Sequence, residues 1–455
     1  MSVSSHKPDL SGMKVVVVGL AKTGQAAVEF LVRRGARVIG TDLRPWEDLP
    51  AQVKALTEQG AILEVGGHKI ETFTQADLIV VSPGVPPTIE PLQRARDRGT
   101  PITGELELAS RFVDIPLVAV TGSNGKTTTT SLIGEIFRAA GRKVFVGGNI
   151  GAPLIGFVSS GEPADVAVVE VSSFQLETTE TFCPDTALLL NATPDHLDRH
   201  AGFEEYLRLK ARVFERQGPE HTAILNADDP AVMGLEVKAR RLLFSRKTKP
   251  CRGACVENGR LMLLDDGREL GGLPVRDLTL VGAHNQENVM AAGLAALTLG
   301  VSPEIVLGTA ARFKGLPHRV ELVGSWRGVS YYDDSKGTNV GAVIKSLEGF
   351  DAPVILIAGG KDKAGDFAPL GPIAREKVKL LILLGEAREK MAAALSRHAE
   401  TVLAATMEDA LVLARDRAVA GDVVLLSPAC ASFDMFEDYA HRGRVFARWA
   451  EKVNA

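Results

Sequence analysis

Leu117-Val-Ala-Val-Thr-Gly-Ser-Asn-Gly-Lys-Thr-Thr128 joins an apolar run to a glycine turn and a Lys-Thr pair. The apolar run predicts a buried strand, and the apolar spacing from 131 to 140 predicts a helix after the turn. At Gly122 and Gly125 no side chain stops backbone N–H groups from closing on phosphate oxygens, and the start of a helix favours negative charge. The stretch therefore predicts a nucleoside triphosphate site.

The Lys-Thr pair that closes this turn supplies the remaining chemistry of a phosphate site. Lys126 can reach the outer phosphates, and the hydroxyl of Thr127 can bind Mg²⁺. The spacing Gly-x-x-Gly-Lys-Thr is shorter than the common Gly-x₄-Gly-Lys-[Ser/Thr]. The alternative, an ordinary helix cap after a turn, is disfavoured because strand, loop and helix occur in the order that the motif demands. The loop alone does not identify the reaction.

Composition limits the class of protein. A chain of 455 residues predicts two or three domains. The net charge of −4 and an aromatic content of 5% argue against nucleic-acid binding. The four cysteines are scattered and do not form a disulfide pattern. With no apolar run of membrane-spanning length and no targeting segment, we expect a cytoplasmic enzyme without membrane insertion.

The first hundred residues predict a nucleotide-type βαβ unit. A strand over 14–18 leads into a turn from Gly19 to Gly24, and a second strand ends at Asp42. This resembles a dinucleotide fingerprint, but Ala21 occupies the place of the middle glycine. NAD is therefore a minor alternative, and the diphosphate of another nucleotide is at least as plausible.

The central part of the chain adds acidic residues at strand ends. Glu170 closes a strongly apolar strand, and it is a natural Mg²⁺ ligand unless it is only a solvated strand end. The loop over 195–200 concentrates acids, histidines and an arginine, which favours a metal or substrate contact. Between 255 and 280, Asn-Gly and Asp-Gly pairs predict hairpins, and an alanine-rich helix follows to about 299.

From about 315 onward, strands again alternate with helices, which predicts a third, parallel α/β unit. Its loop ends carry lysine and arginine, which suit carboxylate ligands. A phosphate loop combined with carboxylate-binding loops suggests that ATP activates a carboxylic acid. Spacing alone does not distinguish this reaction from simple ATP hydrolysis.

A series of motifs, taken together, resembles one known family. The motifs run in order along the chain: 121–128 (TGSNGKTT), 147–151 (GGNIG), 170–177 (EVSSFQLE), 195–200 (DHLDRH), 284–288 (HNQEN), 315–319 (GLPHR), 334–336 (DSK) and 427–432 (SPACAS). The series is similar to that of the Mur ligases. Ser-Ser-Phe-Gln-Leu-Glu together with Asp-Ser-Lys-Gly-Thr-Asn resembles the member of that family that adds D-glutamate.

The resemblance implies an α/β fold of three domains. These are an N-terminal Rossmann-like UDP-binding domain over 1–104, a central P-loop ATPase-like parallel-sheet domain over 105–314, and a C-terminal Rossmann-like domain for the amino acid over 315–455. Such a chain needs no middle glycine at Ala21, because the family binds UDP rather than NAD there.

The same resemblance implies the reaction. D-glutamate is added to UDP-N-acetylmuramoyl-L-alanine through an acyl phosphate, with ATP and two Mg²⁺ ions, in cytoplasmic synthesis of peptidoglycan precursors. The partners are then small molecules, and we expect a monomer. The alternatives are ligases of the same fold that add L-alanine, a diamino acid or a dipeptide, folylpolyglutamate synthase, a nucleotide switch or transport ATPase, and an NAD oxidoreductase. The Asp-Asn-Pro-Arg motif of the diamino-acid-adding ligase does not occur in the sequence.

Site residues follow from the matched motifs. The resemblance implies ATP binding by Gly122, Ser123, Asn124, Gly125, Lys126, Thr127, Thr128, Asn285, Asn288, Arg319 and Asp334. It implies UDP-sugar binding by Thr23, Asp42, Arg44, Ser82, Asn149, Ser172 and Gln175. It implies D-glutamate binding by Lys336, Thr338, Lys363, Ser432 and Phe433. Its metal ligands are Thr127, Glu170, His196 and, if carbamylated, Lys210, and its catalytic residues are Lys126, His196, Lys210 and Lys336. From the residues alone, Lys210 would be a solvated helix lysine.

Overall fold

The computed structural model describes residues 7–195, 199–280, 282–362 and 365–454. Their strands form three separate sheets of five, nine and six strands, which follow one another along the chain. Helices alternate with the strands of each sheet, as the apolar spacing predicts. Within the described residues, no helix combines the length and the apolar character needed to cross a bilayer.

The first sheet is entirely parallel, in the order β3-β2-β1-β4-β5. Its strands are β1 (Lys14–Val18), β2 (Arg37–Asp42), β3 (Ile62–Val65), β4 (Leu78–Val81) and β5 (Ile102–Gly104). The helices are α1 (Lys22–Arg33), α2 (Ala51–Lys54), α3 (Ile70–Thr74), α4 (Glu90–Asp97) and α5 (Glu105–Ser110). The strand order reverses between β1 and β4, and ligands of open α/β sheets bind at such a point.

The second sheet has the order β14-β13-β12-β11-β10-β9-β6-β8-β7, and the phosphate loop follows β6, the third strand from the β7 edge. Its strands are β6 (Leu117–Thr121), β7 (Val144–Gly148), β8 (Val166–Glu170), β9 (Thr186–Leu189), β10 (Thr222–Asn226), β11 (Arg240–Ser245), β12 (Gly253–Glu257), β13 (Arg260–Asp265) and β14 (Arg268–Pro274). The predicted hairpins are confirmed, since β12, β13 and β14 pair antiparallel. The other pairs are parallel.

The helices of the central part cover both faces of this sheet. They are α6 (Lys126–Ala139), α7 (Leu154–Ser160), α8 (Ser173–Leu176), α9 (Phe203–Ala211), α10 (Pro230–Met233), α11 (Ala283–Thr298) and α12 (Pro303–Arg312). Helix α6 begins at Lys126, five residues before the start that apolar spacing predicts, because the phosphate loop leads directly into its first turn. Helix α11 is the predicted alanine-rich helix, and it packs against α6.

The third sheet has the order β15-β16-β20-β17-β18-β19. Its strands are β15 (Glu321–Trp326), β16 (Val329–Asp333), β17 (Val354–Gly359), β18 (Val378–Leu384), β19 (Thr401–Leu403) and β20 (Val423–Leu426). Its helices are α13 (Val340–Leu347), α14 (Gly371–Lys377), α15 (Arg388–Leu395), α16 (Met407–Arg417) and α17 (Tyr439–Asn454). The predicted parallel strands are confirmed, and the edge strand β15 is antiparallel to β16.

Polar contacts, one of them buried, join the first part of the chain to the second sheet. The carboxylate of Glu107 in α5 is fully buried and accepts backbone N–H bonds of 2.9–3.1 Å from Glu180, Thr181 and Phe182. Lys22 Nζ, at the start of α1, donates to the carbonyl of Gly151 at 2.5 Å. These bonds place the carboxyl edge of the first sheet beside the loop that follows β7.

Candidate active site between the second and third sheets

The phosphate loop has a shape that only glycine permits at two positions. Gly122 and Gly125 adopt φ values of 150° and 84°. A Cβ on Gly125 would lie 2.2 Å from Oδ1 of Asn288 in α11, so a side chain there would displace the side chain of Asn288. The backbone N–H groups of the loop can therefore approach a phosphate closely.

Polar side chains of the neighbouring strand hold the loop in place. Asn191, just after β9, accepts from the backbone N–H of Asn124 at 2.8 Å and donates to its carbonyl at 3.1 Å. The hydroxyl of Ser123 donates to the carbonyl of Thr193 at 2.9 Å and shares a 3.0 Å hydrogen bond with the hydroxyl of Tyr206. The loop is thus fixed independently of any phosphate that it binds.

Lys126 is folded back onto the loop. Its Nζ donates to the carbonyls of Gly122 and Ser123 at 2.8 and 2.9 Å. Burial lowers the pKa of this ammonium, while Glu170 and Asp195 favour its charged form. A cation held by two carbonyl oxygens in a partly dry site is well prepared to bind a phosphate.

Glu170 offers an unused carboxylate oxygen beside this lysine. It lies at the end of β8 and is 2% exposed. Its Oε1 accepts from Asn149 Nδ2 at 2.8 Å, whereas Oε2 has no hydrogen-bond partner among the described residues. A buried carboxylate oxygen without a partner is costly unless a cation binds it. A carboxylate and the hydroxyl of Thr127 are oxygen ligands of the kind that Mg²⁺ prefers, so the residues present fit this ion.

Lys210 is buried beside the phosphate loop. Its side chain is 1% exposed, its Nζ donates to the carbonyl of Gly122 at 2.8 Å, and the same atom lies 4.5 Å from the ring centroid of Tyr206. Burial lowers its pKa well below the usual value, and the nearby charge of Lys126 lowers it further. The interpretation of Lys210 as a solvated helix lysine, which follows from the residues alone, is therefore wrong.

The third sheet closes the other side of this site. Arg319, in the loop just before β15, donates to the Thr127 hydroxyl at 2.6 Å. Asn339, at the start of α13, donates to the carboxylate of Asp195 at 3.3 Å. Between the two sheets lies a cavity of about 450 Å³ whose walls include Gly125, Thr128, Asn288, Arg319, Asp334 and Lys336. Seven of the eleven predicted ATP residues thus line one space, whereas Gly122, Ser123, Lys126 and Thr127 are not part of its wall.

Asp334 is a buried acid on the wall of this cavity. Its Oδ2 accepts from the hydroxyls of Ser346 and Ser427, both at 2.7 Å. Burial raises its pKa from 3.8 to about 6, although the two hydroxyls and Arg319 favour the charged form. At neutral pH the chain therefore holds a desolvated negative charge at this position.

We expect the substitution Asp334→Asn to stabilise the protein at pH 7.5. The raised pKa means that the native chain binds more protons than the unfolded chain between pH 3.8 and about 6. Stability contributed by the protonated acid is therefore lost as the pH rises through this window. Asparagine keeps an acceptor for both serines without the buried charge. Thermal unfolding should show a higher Tm for the variant at pH 7.5 and a smaller difference at pH 4.5, whereas a lower Tm at pH 7.5 would contradict this account.

The predicted D-glutamate residues surround the loops after β16 and β20. Lys336 Nζ lies 4.0 Å from the ring centroid of Tyr439, and the half-buried Thr338 follows it in the same loop. Ser432 is 2% exposed, but the side chain of Phe433 is 67% exposed. Lys363 lies outside the described residues.

Arg442 of α17 ties these two loops together. Its guanidinium is 2% exposed and donates to the hydroxyl and carbonyl of Ser335 at 2.9 and 2.8 Å. It also donates to the carbonyls of Cys430 and Ala431 at 3.2 Å. Burial lowers its pKa to about 10, so it remains charged at neutral pH. The clamp fixes the spacing between the residues flanking Lys336 and Ser432.

The predicted UDP residues gather at the carboxyl edge of the first sheet. Ser82 donates from its hydroxyl to the carbonyl of Gly19 at 2.7 Å, across the point where strand order reverses. Asp42 accepts from the backbone N–H of Leu20 at 2.8 Å and from the guanidinium of Arg44 at 2.8–2.9 Å. The arginine holds the pKa of this carboxyl well below its usual range. Thr23 is half-buried in the first turn of α1.

The remaining predicted sugar contacts lie between this edge and the phosphate loop. Asn149 bonds to Glu170 through both its backbone and its side chain. Ser172 and Gln175 cap the start of α8 reciprocally. Asn149 thus joins the predicted sugar contacts to the predicted magnesium ligand Glu170. His196 lies outside the described residues.

Reasoning from the sequence missed three residues of this site. Asn191 follows a buried strand, and a polar residue at that place is a signal that could have been used. Tyr206 and Arg442 carry no such signal, because each lies within a helix that contains several other polar residues. Their contacts depend on how distant segments pack.

Comparison with known families gives matches over most of the chain. The model described as Mur ligase MurD-like, N-terminal domain matches residues 13–104. The Mur ligase middle domain matches 120–296, and the Mur ligase, glutamate ligase domain matches 318–430. The prediction of three domains with an α/β fold is confirmed by this order and by the three sheets.

Relatives of known function are similar over nearly their whole length. The UDP-N-acetylmuramoylalanine--D-glutamate ligase of Geotalea daltonii is 49% identical over 441 residues, which are 96% of this chain and 97% of that protein. The protein of the same name from Desulfatibacillum aliphaticivorans is 48% identical over 443 residues, or 97% of this chain and 98% of its own.

Solved structures show the same fold. A pseudomurein peptide ligase type C from Methanothermus fervidus has a TM-score of 0.62 at 20% identity, covering 97% of this chain and 100% of that one. The UDP-N-acetylmuramate-alanine ligase MurC of Thermotoga maritima has a TM-score of 0.59 at 19% identity, covering 97% and 99%. At this identity the likeness concerns the fold alone.

Proposed function

The chain belongs to the Mur ligase family, and on that premise we propose that it adds D-glutamate to UDP-N-acetylmuramoyl-L-alanine with ATP. The observation that carries this proposal is the shared cavity. The phosphate loop of the second sheet and the cation-bearing loops of the third line the same space. A carboxylate activated by ATP and an incoming amino acid can meet there.

The proposed reaction has two steps. The alanine carboxylate attacks the γ-phosphorus of ATP, which forms an acyl phosphate and releases ADP. The amine of D-glutamate then attacks the acyl carbon, loses a proton, and expels phosphate as the amide forms. Because the chemistry of phosphoryl transfer is chiefly positioning and charge neutralisation, Lys126 and Arg319 act as fixed cations at the transferred phosphate.

We propose that Thr127 and Glu170 hold Mg²⁺. The ion would neutralise charge on the ATP phosphates. The unpartnered Oε2 of Glu170 supports this assignment. The bond from Asn149 to Oε1 orients the carboxylate, so the sugar-binding loop and the metal ligand are mechanically linked.

Lys210 is proposed as the carrier of a carbamate that binds a second Mg²⁺, with His196 as a further ligand. Carbamylation forms a bond from a neutral amine to the carbon of CO₂ and releases a proton. The depressed pKa of Lys210 supplies the neutral amine that this step requires. It would also place an anion beside the Lys126 ammonium, where the two opposite charges attract each other.

We also propose the remaining binding sites, the domain bounds and the oligomeric state that the sequence predicts. The UDP-sugar would bind along the carboxyl edge of the first sheet, at Thr23, Asp42, Arg44, Ser82, Asn149, Ser172 and Gln175. D-glutamate would bind between the loops that Arg442 clamps, at Lys336, Thr338, Lys363, Ser432 and Phe433. We propose domains over 1–104, 105–314 and 315–455, which each contain one whole sheet, and a cytoplasmic monomer.

Labelling with ¹⁸O tests whether the reaction passes through an acyl phosphate. UDP-N-acetylmuramoyl-L-alanine labelled with ¹⁸O in its carboxylate is incubated with ATP, Mg²⁺ and D-glutamate. We expect one labelled oxygen in each phosphate released, because the oxygen that attacks phosphorus leaves with it. Unlabelled phosphate would show attack by water and would contradict the proposed reaction.

A further inference from the structure

The cavity between the second and third sheets extends beyond the residues of the phosphate loop, and we call this further part its far end. Gly125 and Thr128 line the cavity at the loop. At the far end the wall is formed by Asn226, Asp228, Asp229, Glu287, Lys345 and Glu348. These residues line the part of the cavity that remains for the base of a nucleotide whose phosphates lie on the loop.

Three of the four carboxylates at the far end are already engaged. Asp228 accepts from a serine hydroxyl and a backbone N–H group, both at 2.6 Å. Asp229 accepts from three backbone N–H groups at 2.8–3.2 Å. Glu348 accepts from Lys345 Nζ at 2.9 Å. Asp228 and Asp229 therefore maintain the local structure, and the charge of Glu348 is balanced by that of Lys345.

Glu287 is the exception. It lies in the second turn of α11, one residue before Asn288, which contacts the phosphate loop. Its Oε2 accepts a long bond of 3.4 Å from Asn226 Nδ2. The carboxylate is half-buried, and the described residues provide no other hydrogen bond to it. An ionised carboxylate has about four acceptor sites, so most of its capacity is directed at the cavity.

We propose that Glu287 selects the base of the nucleotide by accepting a hydrogen bond from the exocyclic amine of adenine. This inference rests on the proposed function, which assigns ATP to the cavity. Hypoxanthine and guanine present a carbonyl oxygen at the same ring position. That oxygen would face a carboxylate oxygen, and two acceptors repel each other. The site therefore favours adenine nucleotides through one side chain.

The test compares nucleotides that differ at this ring position. Binding of ADP, IDP and purine riboside 5′-diphosphate, which lacks the amine, is measured by calorimetry with Mg²⁺. For the unmodified chain we expect ADP to bind at least about tenfold more tightly than either analogue, the effect typical of one hydrogen bond to a charged group. Equal binding of ADP and purine riboside 5′-diphosphate would overturn the proposal without any variant.

Two variants test whether the preference for ADP over IDP depends on Glu287. In Glu287→Gln the amide can donate to the carbonyl of hypoxanthine, so the preference for ADP over IDP should fall about tenfold. The matched control is Glu348→Gln, in which the changed carboxylate lines the same cavity but is engaged by Lys345, and the preference should persist. An unchanged preference in Glu287→Gln would overturn the proposal.

Nucleotide binding separates this inference from the proposed ligase activity. The measurements use neither UDP-sugar nor D-glutamate. If the chain discriminates between bases as expected but makes no amide, the proposed function fails and the assignment of Glu287 stands. If the amide forms and the bases bind equally well, only the assignment of Glu287 fails.

Discussion

Replacing Lys126 with alanine is expected to lower amide formation by about 10³-fold, as losses of one fixed charge-stabilising group do. The ammonium is placed by two carbonyls of the phosphate loop, at 2.8 and 2.9 Å, where the transferred phosphate would lie. Burial lowers its pKa, so its charge contributes no stability to the fold. The Tm should therefore not fall, and steady-state phosphate release measures the loss.

The control for this substitution is Lys143→Ala. Lys143 is exposed and lies before β7, outside the cavity. Its removal should leave phosphate release unchanged. A Lys126→Ala protein that is folded and turns over at the normal rate would contradict the role given to the phosphate loop.

The substitution Glu170→Gln is expected to lower activity by about 10²-fold to 10³-fold at fixed Mg²⁺. The amide keeps an acceptor for Asn149 but removes the negative charge from the buried oxygen that has no partner among the described residues. Half-maximal activation should therefore require a higher Mg²⁺ concentration. The measurement is activity against Mg²⁺ at saturating ATP.

Glu162→Gln provides the matched control, because Glu162 is exposed in the loop before β8. Its Mg²⁺ dependence should equal that of the unmodified chain. If Glu170→Gln showed the same activation curve as this control, Glu170 would not be a metal ligand.

The phosphate loop could be predicted from sequence because its determinants are local. The strand, the turn and the first helical turn lie within a dozen residues, and glycine at two positions fixes the backbone. The same is true of the hairpins between β12 and β14, where Asn-Gly and Asp-Gly pairs form the turns. The geometry of such turns depends on residues that are adjacent in the chain, so the local sequence predicts it.

The burial of Lys210 could not be predicted from its own stretch. It lies in α9 among charged neighbours, and the helix pattern alone favours a solvated position. Its environment comes from Gly122, 88 positions earlier in the chain, and from the ring of Tyr206 in the same helix. Only a resemblance to other proteins singled out this lysine.

Long-range contacts also explain why Arg442 was missed and why Arg319 could be assigned only by resemblance. Arg319 reaches Thr127 across 192 positions, and Arg442 reaches Ser335 across 107. The arginine of the Gly-Leu-Pro-His-Arg motif could be assigned by resemblance. Arg442 is one of several cations in an amphipathic helix, so nothing in the sequence separates it from its exposed neighbours.

The most direct test of the account measures phosphate release from ATP in the presence of UDP-N-acetylmuramoyl-L-alanine. D-glutamate, L-glutamate, L-alanine, a diamino acid and D-alanyl-D-alanine are offered one at a time as the amine. We predict release with D-glutamate only. Release with a different amine would keep the fold and the acyl phosphate but contradict the assigned substrate, and release with no amine would contradict the ligase reaction itself.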